Sequence, residues 1–289
     1  MTITIPPEIE TFARTIADRL IQVPRVRAVV LGGSWVRGGA DPNSDIDLGI
    51  YYHGAEPPPV DDLRVLAAEL DDLHHGEAVT DFGAWGPWIN GGAWLTIQGR
   101  RVDWLYRDLR RVHDVLESCL AGKPAAIYQA GHPHAFHTPI YLGEAVLCMP
   151  LTDPYGDLAR LKAQLNPYPP ALQRALIEGG MWEAQFTLDT TQKPALRGDV
   201  LVVAGGLFRC MADLVQVLFA LNERWCLNEK GALGQTRLMP HCPPDFAEQA
   251  EQLLSGIGSR PAELQTNLTA AQALLTQVRA LCQAQGFAL

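Results

Sequence analysis

Cysteine is sparse and scattered in this chain: six in 289 residues (Cys119, Cys148, Cys210, Cys226, Cys242 and Cys282), with no C-x-x-C pair. Zinc needs clustered ligands and a small secreted scaffold needs denser cysteine, so reduced cytosolic thiols are expected. Basic charge is also short, with 23 Lys and Arg against 32 Asp and Glu and a net charge of −9. Binding nucleic acid or an anionic membrane takes many cations on one surface, and this balance argues against both partners. The start, MTITIPPEIE, lacks the basic-then-apolar pattern of an export signal, so a cytoplasmic protein is expected. The longest apolar run, VLVVAGGLFRCMADLVQVLFALN, is broken by Arg209 and Asp213. Each would cost roughly 2.5–3.5 kcal/mol in lipid, which predicts a buried core helix instead of a membrane span. Internal repeats and low-complexity tracts are absent.

What is present reads as globular: 47% of residues are hydrophobic and 19% charged. The length suggests about two domains. Pro6-Pro7 followed by EIETFARTIADRLIQ predicts an amphipathic helix with Ile9, Phe12, Ile16 and Leu20 on one face. VRAVVLGG then reads as a strand, SWVRGGA as a helical turn, DIDLGIYY as a second strand and DDLRVLAAELDDL as a helix. GGAWLTIQ and RRVDWLYR read as a hairpin closed at Gln98-Gly99, and LRRVHDVLESCLAG as a helix. Beyond about residue 125, nearly everything carries a helical period, in segments near 140–148, 155–165, 169–190, 199–222, 245–256 and 261–285. The fold class expected is α+β: a mixed sheet with flanking helices over 1–124, then an all-helical domain over 125–289.

One feature of the second strand is chemically unusual. Asp45 and Asp47 lie two residues apart in an otherwise apolar run, where side chains at i and i+2 share a face about 6.6 Å apart. Two like charges so placed would raise one pKa and cost stability. A divalent cation removes that objection, and hard oxygen donors select Mg²⁺, or Mn²⁺, over zinc. Asp103, isolated between Val102 and Trp104, is the best third carboxylate. Three carboxylates on two adjacent strands could hold two Mg²⁺ roughly 3.5–4 Å apart, the arrangement that serves in-line phosphoryl displacement. Gly33-Ser34, between a strand end and a helical turn, would let backbone N–H groups approach phosphates.

These residues together, GSWVRGGADPNSDIDL, resemble the signature of the polymerase-β-like nucleotidyltransferase superfamily, G-S-x-x-x-G, a loop, then S-D-x-D-[LIV]. Gly33, Ser34, Arg37, Gly38, Ser44, Asp45, Asp47 and Leu48 fall on it, and the resemblance covers the order of elements over the first ~110 residues. It implies a nucleoside triphosphate donor, two Mg²⁺ and transfer of a nucleoside monophosphate with loss of pyrophosphate. Asp45, Asp47 and Asp103 would be metal ligands and catalytic residues. Gly33, Ser34, Arg37 and Ser44 would bind the nucleotide. The C-terminal half is similar to the helical domains of small stand-alone members such as the aminoglycoside and lincosamide nucleotidyltransferases, where the helices wall the acceptor pocket. GHPHAFHTPIYLGEAVLCMPL and LFALNERWCLNEKGAL resemble an uncharacterised bacterial group of such proteins. Trp35 departs from the small or basic residue common there, and either stacks on a base or packs.

In the helical half, related antibiotic-modifying enzymes suggest a glutamate base, Glu183 or Glu178, for the acceptor hydroxyl. Arg209 and Lys230 could reach the triphosphate, and Arg209, read as interrupting a buried helix, would need a partner. Gly205-Gly206 suggests close helix packing. His132, His134 and His137 lack a defined fourth metal ligand and read as loop residues. Arg100, Arg101, Arg107, Arg110 and Arg111 read as a dispersed, solvated set. The expected activity is Mg²⁺-dependent transfer of a nucleoside monophosphate, AMP from ATP first, to a hydroxyl of a small molecule. The alternative is an antitoxin-like regulatory protein that binds or nucleotidylates a partner protein.

Overall fold

A computed structural model describes residues 5–289. In chain order the elements are α1 (Pro7–Leu20), β1 (Val26–Leu31), α2 (Gly33–Arg37), β2 (Ile46–Tyr52), α3 (Val60–Leu70), α4 (Gly86–Ile89), β3 (Gly92–Ile97), β4 (Arg100–Asp108) and α5 (Leu109–Leu120). There follow β5 (Ala126–Ile127), β6 (Phe136–His137), α6 (Ile140–Leu147), β7 (Met149–Thr152), α7 (Asp157–Gln164), α8 (Pro170–Leu196), α9 (Val200–Leu221), α10 (Ala232–Thr236), α11 (Phe246–Ser255) and α12 (Pro261–Ala284). The chain divides into two compact units. The first comprises the described residues up to Glu117 with Tyr141–Pro167, and the second Ser118–Ile140 with Tyr168–Leu289. The division is therefore discontinuous, unlike the single cut at 124/125 expected from composition.

The first unit is built on a five-stranded mixed sheet in the order β3-β4-β2-β1-β7. β2 and β4 run parallel, and the other neighbours are antiparallel. In β2, Ile46, Leu48 and Ile50 are buried, while Asp47 and Gly49 on the opposite face are only partly so. That alternation is what a period of two imposes on a sheet with one face in the core. Helix α1 covers the core with Ile9, Ala13, Ile16, Ala17 and Leu20, and Pro7 starts it where the missing N–H has no intrahelical partner. The Gln98-Gly99 link turns with φ of +51° and +74°, both left-handed, as a two-residue hairpin requires. Asp72 secures it, its carboxylate accepting from the N–H groups of Gln98 (2.8 Å) and Gly99 (2.7 Å).

Three strands correct the all-helical reading beyond residue 125. β7 pairs with the outer edge of β1, and β5 and β6 pair with each other. Four residues, MPLT, are too short to show a period, and they become a strand only because β1 offers an open edge. Pro150, which cannot donate to a ladder, is tolerated there because β7 is itself an edge.

The second unit packs α8, α9 and α12 around Leu188, Leu207, Leu214, Leu218, Leu268 and Leu275. Helix α9 is long and apolar enough to cross a membrane by length and composition, yet its C-terminal half is buried in this core. Asp199 caps it, accepting from Val202 N–H at 3.2 Å. Of the two glycines expected to allow close packing, only Gly206 does so: a Cβ there would meet Thr191 Oγ1 at 2.5 Å, whereas Gly205 has nothing within 4 Å.

Candidate active site

The candidate site lies where β1 gives way to β2. After Leu31 the chain turns at Gly32, whose N–H donates to the Asp47 carbonyl at 2.8 Å. Gly33 follows with φ +64°, and a Cβ there would lie 1.7 Å from Asp47 Oδ2 and 2.6 Å from its Cγ. Glycine is required at this position twice over: by backbone conformation, and by the carboxylate that fills the space a side chain would take. Helix α2 is a five-residue turn ended by Gly38 in the left-handed conformation, its N–H on the Ser34 carbonyl. Trp35 is buried, and its Nε1–H donates to the Asp45 carbonyl at 3.0 Å. Packing, and not base stacking, is its role here: it ties the turn to the residue that precedes β2.

The loop between turn and strand is closed by its own polar groups. Asp41 N–H donates to Ser44 Oγ (2.9 Å), Ser44 N–H to the Asp41 carbonyl (3.0 Å), and Asn43 N–H to Asp41 Oδ1 (2.7 Å). Ser44 thus shapes the loop in addition to any ligand it meets. Arg37 is exposed, and its Nε donates to the Gly33 carbonyl at 3.0 Å.

Parallel pairing of β2 with β4 sets Asp47 directly opposite Asp103, so two of the three expected carboxylates share one face on neighbouring strands. Asp45 is held by Arg101, whose Nε is 2.6 Å from Asp45 Oδ1. That buried oxygen takes no aligned hydrogen bond. Among the described residues, no three His, Cys, Asp or Glu side chains converge as a ligand set. The donor chemistry still suits a hard divalent cation: the candidates are all carboxylates, one oxygen lacks a hydrogen bond, and glycine at 33 sets no Cβ against Asp47. Taking up a cation would require Asp45 to exchange the guanidinium for it.

Charged residues singled out in the helical half lie in the second unit. Glu183 is ion-paired with Arg209 at 2.8 Å, and Arg209 is half exposed, where a buried cation was expected. Glu178 is exposed, 3.7 Å from Arg174 one helical turn away. Lys230 is exposed, and its backbone N–H donates to Asn228 Oδ1. The arginines do not form the uniform solvated set expected: Arg107 is buried and bidentate to Glu144 (2.6 and 2.7 Å).

The three histidines form a polar network in the second unit. His132 Nδ1 is 3.2 Å from Glu229 Oε2, His134 Nε2 is 3.2 Å from Asp213 Oδ1, and His137 Nε2 is 3.3 Å from His134 Nδ1. Burial, with His134 beside it, holds the His137 imidazole down to about 4. Burial alone would raise Glu229, but hydrogen bonds from His132 and from backbone N–H groups bring it down to about 2. Asp213 is pushed up by burial, against the pull of His134.

Sequence reasoning missed Trp94. It stands directly opposite Asp103 on β3, is 66% exposed and stacks on Trp85 with ring centroids 4.5 Å apart. The available signal was alternation: Ala93, Leu95 and Ile97 take the core face of β3, so Trp94 puts a large ring on the other.

A glycine–serine turn thus stands against an aspartate strand, with a further carboxylate on the parallel neighbour. Residues 14–82 match the family Polymerase beta, Nucleotidyltransferase, and residues 143–230 match Domain of unknown function (DUF4037). The first match spans the Gly33-Ser34 turn, Asp45 and Asp47, so this part of the chain is similar to polymerase-β-like nucleotidyltransferase domains. Over 93% of its length, and 74% of the other chain, it is similar to the nucleotidyltransferase-like protein from Exiguobacterium sibiricum 255-15, with 12% identity and a TM-score of 0.47. No curated protein matches it.

Proposed function

We propose that this protein is a Mg²⁺-dependent nucleotidyltransferase that moves a nucleoside monophosphate, AMP from ATP in the first instance, to a hydroxyl of a small molecule. The observation that carries this reading is the in-register pair Asp47–Asp103, with the Asp47 carboxylate lodged against the side-chain-free Gly33. Asp45, Asp47 and Asp103 would hold the cations, with Mn²⁺ as a substitute, and bound Mg²⁺ would neutralise charge on the transferring phosphoryl group. The open turn at Gly33-Ser34 lets phosphate oxygens approach backbone N–H groups and the Ser34 hydroxyl. Trp35 and the Ser44 loop keep Asp45 at the entrance to β2. Glu183 and Arg209 pair with each other at 2.8 Å, so a role for either as base or triphosphate ligand would require that pair to open.

The test is thermal unfolding with each nucleoside triphosphate, with and without Mg²⁺, on wild type and on Asp45→Asn/Asp47→Asn. Ligand at 100 times its Kd adds about 2.7 kcal/mol, worth several degrees at roughly 2–4 °C per kcal/mol. The expected result is a Mg²⁺-dependent shift in wild type and none in the variant. Absence of a shift with every nucleotide sinks the reading.

A further inference from the structure

Asp47, Asp103 and Trp94 form one row across β2, β4 and β3, each directly opposite the next. Residues so paired put their side chains on one face, with strands about 4.8 Å apart. Trp94 is 66% exposed although Ala93 and Leu95 beside it are buried. An indole left in water forgoes the burial of roughly 150–250 Å² of largely apolar surface, so its position calls for a reason. Trp85 stacks against it at 4.5 Å with the planes 19° apart. The loop carrying Trp85 is fastened rather than loose: Trp85 N–H donates to the Asn90 carbonyl (3.2 Å), Gly83 N–H to Asn90 Oδ1 (2.9 Å) and Asn90 Nδ2 to Tyr52 Oη (2.8 Å). The pair is a firm aromatic platform with an open face, one strand away from a candidate catalytic carboxylate.

Sheet order assigns it a side. The Gly33-Ser34 turn leaves from β1, on one side of β2, while β4 and then β3 lie on the other. In an in-line displacement the attacking hydroxyl and the leaving pyrophosphate occupy opposite sides of the phosphorus. With phosphates at the turn, as the nucleotidyltransferase reading requires, the hydroxyl enters over Asp103 and Trp94. We propose that the Trp94–Trp85 stack is the acceptor platform, and that it takes a ring whose face lies against the indole and which bears the attacked hydroxyl on the ring itself. A single strand spacing separates Trp94 from Asp103, which leaves no room for a long arm between stacked ring and reacting oxygen. Cyclic sugars, cyclitols and phenols meet that requirement. Linear polyols and the hydroxyls of Ser and Thr side chains do not.

The experiment follows the indole N–H resonances of ¹⁵N-tryptophan-labelled full chain, with Trp94→Phe and Trp85→Phe used for assignment. Methyl β-D-glucoside, myo-inositol, N-acetyltyrosinamide and glycerol are titrated separately, in Mg²⁺ with a non-hydrolysable ATP analogue. The Trp94 and Trp85 signals should move with at least one ring compound and not with glycerol or with the analogue alone. Which ring moves them separates sugar, cyclitol and phenol. Trp94→Ala should weaken that binding about five- to 150-fold, the range for loss of one ring stack, and Trp94→Phe, which keeps a ring, should retain most of it. Movement with the ATP analogue alone would reassign the platform to the nucleobase, and no movement with any ring compound would overturn it. Nucleotide binding is read separately by thermal shift. If it is absent while the ring response persists, the transfer reading falls and the ring site stands.

Discussion

Replacing Gly33 with alanine probes the site most directly. A Cβ at this position would lie 1.7 Å from Asp47 Oδ2, where ordinary contact begins near 3.4 Å, so the carboxylate must retreat by more than an ångström. The backbone holds φ +64°, a left-handed conformation that costs an L-residue roughly 1–2 kcal/mol. Conformational strain alone should therefore lower Tm by about 2–8 °C, at roughly 2–4 °C per kcal/mol. Displacement of Asp47 acts on function, since a 1 Å misplacement of a catalytic group can cost on the order of 10²-fold in rate. Gly39 provides the control, because nothing lies within 4 Å of its Cβ position and its φ is not among the positive ones. Gly39→Ala should keep the wild-type Tm and the wild-type response to ATP and Mg²⁺. Differential scanning fluorimetry on the two variants, with and without ATP·Mg²⁺, makes the comparison. Wild-type stability and nucleotide response in Gly33→Ala would refute the argument that Asp47 is set against this turn.

Other consequences can be measured independently. His137 sits near 4 against an ordinary 6.5, so between about pH 4 and 6.5 the unfolded chain binds a proton that the folded chain refuses. Stability should rise with pH across that window, by roughly 3 kcal/mol at full swing. His137→Gln should flatten the slope of Tm against pH, and equal slopes would contradict the assignment. Glu229 acts lower: its contribution is complete above about 4.5 and is lost as pH falls towards 2. In α9, Gly206→Ala should cost roughly 1–3 kcal/mol by forcing Thr191 aside. Gly205→Ala should gain about 0.5–1 kcal/mol, because the site is open and alanine favours the helix. The expected Tm order is Gly205→Ala, wild type, Gly206→Ala, and the reverse order would refute the packing account. Arg101→Gln should change stability by no more than about 1 kcal/mol, since the pair with Asp45 is exposed. By freeing Asp45, it should lower the Mg²⁺ concentration needed for half-maximal nucleotide stabilisation. A higher requirement would show that Arg101 assists the site instead of competing for it.

The features legible in the sequence were those set over short distances along the chain. Alternation set which residues of β2 face the core and put Asp47 on the other face, although Asp45, expected in the same strand, lies just before it. Helical period placed α9, α11 and α12 close to their observed bounds, though α8 runs on to Leu196, past the end near 190 expected for it, and a two-residue link with left-handed backbone closed β3 onto β4. The Gly33-Ser34 turn and the Asp45–Asp47 spacing were readable because their chemistry depends on neighbours a few residues away. Partner choice was not readable. Arg101 takes Asp45, Arg107 takes Glu144, Arg209 takes Glu183 and His134 takes Asp213, each across dozens of residues. Composition offers several equivalent partners for every one of these charges, and only chain packing brings a particular pair within reach. β7 became a strand because β1 had a free edge, and Trp94 came to stand beside Asp103 because β3 pairs with β4 in one register. Local propensity and periodicity reach about one turn or one strand along the chain. The site is completed by residues that meet across strands, and register, which is a property of the assembled sheet, determines that meeting.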